Sequence, residues 1–202
     1  VDSSASETYV EFVKGHLPRD SKDVPSMRAD LRELIIRATK VPYVARSIFQ
    51  SIQTGNDYQT INLGQTRKDG GRPSRERFLF QFDFHGKTVL DIGANTGENS
   101  RIARKLGATL VDGFEYDPFF VEIGRAINAV SGMTRVSLFQ GDCTKPELFE
   151  GMKYDLVLAL AVWVYLQDTI KQVAMITDTM IFETHTLDHG MDYYYSKVLP
   201  YF

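Results

Sequence analysis

Cysteine is almost missing from these 202 residues: Cys143 is the only one. No disulfide can form within the chain and no cysteine zinc cluster can be built, so Cys143 reads either as a small core residue or as part of a pocket wall. An excess of basic residues is missing too. Lys and Arg number 23 against 26 Asp and Glu, a formal charge of -3 with a pI near 5.8. That balance disfavours a broad phosphate-binding surface, because nucleic-acid affinity rests largely on cations neutralising phosphates. Nucleic acid is therefore not the expected partner. No apolar run approaches the roughly 20 residues that span a bilayer. The opening VDSSASETYVEF also lacks the basic and apolar regions of a signal peptide. A cytoplasmic location without a membrane partner is the expectation. No internal repeat or low-complexity tract is visible. What remains, 43% hydrophobic and 24% charged residues, suits one substantial globular core.

The pattern along the chain divides it at about residue 84. Residues 1–84 read as an N-terminal arm and helical cap or lid. The first part, to Val24, is polar and carries Gly15 and Pro18, with Pro25 following. From Ser26, Leu31, Leu34, Ile35 and Ala38 fall at helical spacing, and a second helix opens at Pro42 with Val44, Ile48 and Ile52 on one face. Asp57 to Leu63 (DYQTINL) alternates like a strand, and Gly64 to Ser74 (GQTRKDGGRPS) is a charged, glycine-rich loop, read equally as a lid or as inert surface. A helix is expected at Arg75 to Phe82.

Residues 85–202 alternate short apolar strands with helices. Strands are expected at Thr88 to Ile92, Thr109 to Phe114, Arg135 to Phe139, Asp155 to Ala159 and Met180 to Glu183. Helices are expected at Gly97 to Leu106, Pro118 to Val130 and Leu166 to Ile176, with a helical turn at Pro146 to Phe149. This is the pattern of an α/β fold, a doubly wound and mostly parallel sheet with helices on both faces.

In such sheets ligands bind outside the carboxyl ends of the strands, where the strand order reverses. The first strand runs into VLDIGANTG, residues 89–97, whose Gly93 and Gly97 permit a tight turn and close ligand approach. The second ends in Gly113-Phe114-Glu115-Tyr116-Asp117. Glu115 stands 22 positions after Gly93, close to the roughly 20 expected for an acid that receives ribose hydroxyls. An adenosine-bearing cofactor follows. NAD and FAD bring a pyrophosphate that calls for three glycines, and Asn95 stands where the second should be. S-adenosylmethionine (SAM) has no phosphate and needs one fewer close approach.

VLDIGANTG resembles motif I of the class I, Rossmann-like SAM-dependent methyltransferases, GFEYDP the acidic second motif, and Gln140-Gly141-Asp142-Cys143 the third. The match runs in order and spacing from Lys87 to His185. The resemblance implies that Asp91 and the backbone of Gly93, Ala94, Asn95 and Gly97 hold the methionine moiety. Glu115 would bind the ribose diol and Tyr116 flank the adenine. Asp142 would accept the adenine amine, with Cys143 giving a backbone donor, and Ala159, Leu160 and Ala161 would lie beside the sulfonium. The bland alternative for Asp91 and Asp142 is that they cap loops. The segment DYQTINLGQ, the Gly71-Arg72 loop and Arg77-Phe78 are similar to the approach region of methyltransferases related to the tRNA wobble-uridine carboxymethyl-transfer branch and of some polysaccharide or natural-product enzymes. That implies Tyr58, Gln59, Arg72 and Arg77 closing over the SAM carboxylate or the acceptor, an arginine fork suiting a carboxylate.

Methyl transfer is an in-line displacement, to which an enzyme contributes mainly by holding the reacting atoms together. A hydroxyl acceptor also needs a base, for which His185, Glu183, Tyr165 and His189 are candidates. After the fourth strand stands Leu160-Ala161-Val162-Trp163, neither the Asn-Pro-Pro-Tyr type of motif for planar amino groups nor the Asp of metal-dependent catechol-type enzymes. No metal site is expected. Trp163, Tyr165 and the run Tyr193-Tyr194-Tyr195 form either an aromatic acceptor pocket or core and helix surface. The expected function is methylation of a small-molecule metabolite or natural product at O or N. The alternatives are SAM chemistry on the aminocarboxypropyl arm, releasing methylthioadenosine, and a non-catalytic SAM-binding subunit. Class I domains usually add a sixth and an antiparallel seventh strand, yet only TLDHGMDYYYSKVLPYF follows His185. The edge is then exposed, and absent C-terminal strands, a second copy or partner subunit, or the strand at Asp57 to Leu63 would account for it.

Overall fold

A computed structural model of the protein describes residues 29, 30, 33, 52–54, 59–61, 76–184 and 191–202. Strands β1 (Ile52–Thr54) and β2 (Gln59–Ile61) form a small antiparallel hairpin. Then follow α1 (Glu76–Leu79), β3 (Thr88–Ile92), α2 (Glu98–Lys105), β4 (Leu110–Glu115), α3 (Pro118–Val130) and β5 (Val136–Gln140). A 3-10 turn at Pro146–Phe149 leads to β6 (Leu156–Leu160), α4 (Trp163–Leu166), α5 (Ile170–Ile176), β7 (Met180–Glu183) and α6 (Met191–Val198). The main sheet is five-stranded in the order β5-β4-β3-β6-β7, and every pair is parallel. Chain order reverses between β3 and β6, which makes the carboxyl ends of those strands the expected ligand crevice.

Both faces of the sheet are covered, and the strands show it by being apolar at successive positions. Leu90, Ile92, Val157 and Ala159 point to one face and join Trp163, Leu166, Val173 and Tyr194 from α4, α5 and α6. Val89, Val111, Leu158 and Ile181 point to the other and meet Leu79 from α1 and Ile102 and Ala103 from α2. Each Leu or Ile so buried contributes about 1.5–3 kcal/mol against exposure, enough to fix which residues of each strand face which layer. Local chemistry sets the helix ends. Asp117 caps α3 by accepting the Phe119 N–H at 2.9 Å, and Pro118 takes the first helical position, where no N–H is needed. In α2, Glu98 lies in the first turn and Arg104 and Lys105 in the last, which complements the helix dipole.

Three expectations change. Ile52, assigned to the face of a helix opening at Pro42, lies in β1 opposite Ile61. The β-branched residues at these positions suit a pleated ladder, and pairing across so short a connection costs little loop entropy. The strand at Asp57 to Leu63 is described over Gln59–Ile61, and it pairs with β1 in a separate sheet rather than closing the edge of the main one. The helix drawn through Leu166 to Ile176 is two helices with a break at Thr169, whose hydroxyl donates to the Cys143 carbonyl at 2.7 Å. Of the first N-terminal helix, Ala29, Asp30 and Glu33 are helical and exposed. The remainder of both cap helices and the 64–74 loop lie outside the described residues. Among the described residues no helix is long and apolar enough to cross a membrane.

Candidate functional site

The chain leaves β3 through a turn held against β4. Gly93 (φ 72°) and Ala94 both donate their N–H to the Phe114 carbonyl, at 2.8 and 2.9 Å. A Cβ on Gly93 would run into the Val162 side chain, so conformation and space both require glycine there. Asn95 (φ 52°) and Gly97 (φ 80°) continue the left-handed turn, which Asn tolerates better than most residues. Asn95 donates its N–H to one Glu115 carboxylate oxygen at 2.8 Å, and Asp117 donates to the other at 3.0 Å. Burial pushes the Glu115 carboxyl above the ordinary carboxylate range, against the pull of those N–H groups. Tyr116, next along, is 69% exposed.

Behind the turn lies a polar layer that sequence reading did not single out. Ser100 donates to Asp91 at 2.6 Å, so the carboxylate at the strand's end has a hydroxyl partner inside the fold. Arg101 is buried and donates from Nη1 to the Thr96 carbonyl at 2.8 Å and to Asn128 Oδ1 at 3.2 Å, while Asn128 donates to the Val136 carbonyl at 3.1 Å. Burial lowers the Arg101 pKa to about 10, and the nearby Glu98 and Asp91 charges oppose that shift. In the sequence Ser100 and Arg101 show nothing beyond the helix expected at Gly97 to Leu106.

The exit of β5 joins the same region, because Gly141 donates its N–H to the Glu115 carbonyl at 2.9 Å. Asp142 accepts at one carboxylate oxygen from both the hydroxyl (2.7 Å) and the N–H (3.0 Å) of Thr144, and these bonds hold its carboxyl below the usual range. The loop-capping role considered for Asp142 is thus present. The Cys143 thiol is part-buried against the apolar core, and burial foremost raises its pKa to about 11. It stays protonated at neutral pH.

On the other side of the switch point, Ala159 is wholly enclosed in the core, and the Val162 side chain is the one that lies against Gly93. Ala161 has φ 65° and donates its N–H to the Glu183 carbonyl at 2.8 Å. Glu183 therefore ends β7 beside the exit of β6, and it is half-buried. Tyr165 on α4 is 59% exposed. Trp163 and Tyr194 belong to the core, stacked edge-on with ring centroids 5.9 Å apart, whereas Tyr195 is exposed. Arg77 lies in α1, with its side chain outside the described residues, as are Tyr58, Arg72, His185 and His189.

Asn95 and Gly141 are thus bonded directly to Glu115, with Gly93 and Gly97 in the same turn, at the carboxyl ends of β3, β4 and β5. They fit SAM chemically. A backbone cleared of side chains accepts a close ligand, and a half-buried carboxylate at the end of β4 suits two hydroxyl donors. Among the described residues no group of His, Cys, Asp and Glu is arranged to hold a metal ion.

The methyltransferase-domain family matches residues 69–195. The chain belongs to that family and is a class I, SAM-dependent methyltransferase domain. It is 31% identical over 118 residues to the nodulation protein NoeA of Rhizobium meliloti, covering 57% of this chain and 23% of that protein. It is also 38% identical over 83 residues to the ribosomal protein L11 methyltransferase of Caldanaerobacter subterraneus, covering 41% of this chain and 26% of that one. The chain therefore spans about a quarter of the length of these relatives. Among solved structures, the N-terminal domain of EvdMO1, determined in the presence of S-adenosylhomocysteine and D-fucose, superposes with a TM-score of 0.53 at 19% identity, covering 73% and 61% of the two chains. The bifunctional kinase-methyltransferase WbdD gives a TM-score of 0.57 at 19% identity over 77% and 35%. These two likenesses establish the fold.

Proposed function

We propose that this domain transfers the methyl group of SAM to an oxygen or nitrogen of a small-molecule acceptor, a metabolite or natural product. The observation that carries the reading is the junction of the Gly93–Gly97 turn with Glu115 through the Asn95 N–H, 2.8 Å from the carboxylate. When bound, SAM supplies a methyl carbon made electrophilic by its sulfonium. The chain's own part is to hold and orient. The Gly93–Gly97 backbone and Asp91 would take the methionine end, Glu115 the ribose hydroxyls, Tyr116 one face of the adenine, and Asp142 with the Cys143 backbone the adenine edge. Ala161, and Val162 whose side chain lies against Gly93, would line the path to the methyl group.

For a hydroxyl acceptor, Glu183 is our candidate for receiving the proton, with Tyr165 orienting the acceptor and His185 the alternative base. A small acceptor is supported by the net charge of -3, which gives little attraction for a phosphate backbone. The single cysteine accords with a cytoplasmic location.

The test uses SAM carrying a labelled methyl group, with the purified protein and a cell extract split into small-molecule filtrate and protein fraction. D-fucose, the sugar present with EvdMO1, is a defined acceptor to try beside them. Label appearing in a filtrate compound is the expected result. Label confined to the protein fraction would replace this reading with protein methylation, the activity named for the L11 relative.

A further inference from the structure

We propose that Arg101 is a positioning residue for the methionine arm of SAM: its guanidinium holds the Thr96 carbonyl and so fixes the Gly93–Gly97 turn in its binding shape. Three alternate positions of that turn, Gly93, Asn95 and Gly97, are left-handed, at φ 72°, 52° and 80°. Glycine takes this conformation freely and Asn tolerates it, so the turn keeps one shape through the bonds that hold it, and the Arg101 side-chain bond comes from the helix behind. Thr96 is fully buried between two of those positions, and its carbonyl receives Arg101 Nη1 at 2.8 Å. The same nitrogen lies 3.2 Å from where a Cβ on Gly97 would stand, so the guanidinium packs directly on the turn. Its other bond, 3.2 Å to Asn128, continues to the Val136 carbonyl of β5. The turn is thereby tied through one cation to the helix and strand behind it.

Packing alone does not explain this residue. A buried guanidinium is costly, and an apolar side chain of similar volume usually fills the space at no loss of stability. Arg101 keeps its charge at neutral pH with Asp91 and Glu98 nearby, and its shortest hydrogen bond is the one to the turn. The inference rests on SAM as the cofactor and on the methionine end lying at this turn. It does not depend on the acceptor.

The test measures equilibrium binding of two ligands, S-adenosylhomocysteine and adenosine, to wild type, Arg101→Met and Arg101→Lys, each shown by circular dichroism to be folded. Wild-type binding of S-adenosylhomocysteine checks the cofactor assignment separately. Arg101→Met removes the guanidinium bond to the Thr96 carbonyl, and S-adenosylhomocysteine is expected to bind about tenfold more weakly. Adenosine, which lacks the methionine arm, should change by less than about twofold, and Arg101→Lys should recover most of the loss. A purely structural role would weaken both ligands together or lower the melting temperature alone, and either result overturns the proposal. If Arg101→Met does not fold, Asn128→Ala decides by the same ligand pair. A loss selective for S-adenosylhomocysteine supports the proposal, and an equal loss or none overturns it.

Discussion

Glu115 is asked to do two opposed things. To receive ribose hydroxyls its carboxylate must be ionised, yet burial raises its pKa above the ordinary 4.5. The sign follows from linkage. A carboxyl whose folded pKa is raised favours the folded state most when protonated, below 4.5, and that contribution is lost as pH rises through the folded pKa. Ligand affinity runs the other way, so S-adenosylhomocysteine binding should weaken as pH falls from neutral toward 4.5. Calorimetric titration at several pH values checks this, and Glu115→Gln should flatten the dependence and reduce neutral-pH affinity about tenfold. Affinity unchanged on acidification would remove Glu115 from the site. Gly93 makes a second prediction at this scale. Gly93→Ala meets both a positive φ and the Val162 side chain, so it should cost about 2–4 kcal/mol in denaturant unfolding and abolish S-adenosylhomocysteine binding. Sequence made both residues legible because glycine spacing and an acid at a strand end leave a local mark. Arg101 left none, since its partner Asn128 comes from a second helix that only folding brings beside it.

At the scale of elements, the connection from β6 to α4 carries strain at Ala161, whose φ is 65°. Ala161→Gly should raise thermal stability by as much as about 1 kcal/mol, and the effect on turnover will tell whether that strain serves the reaction. Helix α6 is anchored by Tyr194 in the aromatic cluster with Trp163 and Phe182. Tyr194→Ala should cost about 3 kcal/mol in urea unfolding. Protection from hydrogen exchange should be lost first in α6. The elements of the sheet were read closely because each is short, apolar and bounded by turn residues. Asp117-Pro118 fixed the start of α3 in the sequence itself. The break between α4 and α5 was missed because its cause is distant: Thr169 reaches Cys143 on another loop. Ile52 stands at helical spacing after Val44 and Ile48 but suits a strand equally, and its partner Ile61 decides the matter.

For the molecule as a whole, the five-stranded parallel sheet puts the glycines and carboxylates of the proposed cofactor site at one end and leaves the core to both faces. The fold and the cofactor class were therefore readable from the order of motifs, while the acceptor was not, since nothing local in the sequence records a molecule that several strand ends contact together. The same cofactor pocket can support methyl transfer or reaction at the aminocarboxypropyl arm, and the nucleoside product separates them. The most direct measurement is mass-spectrometric quantification of that product after incubating the purified chain with SAM, with and without metabolite extract. Methyl transfer predicts S-adenosylhomocysteine that appears only when extract is present. Methylthioadenosine formed above the uncatalysed background without any acceptor would contradict it.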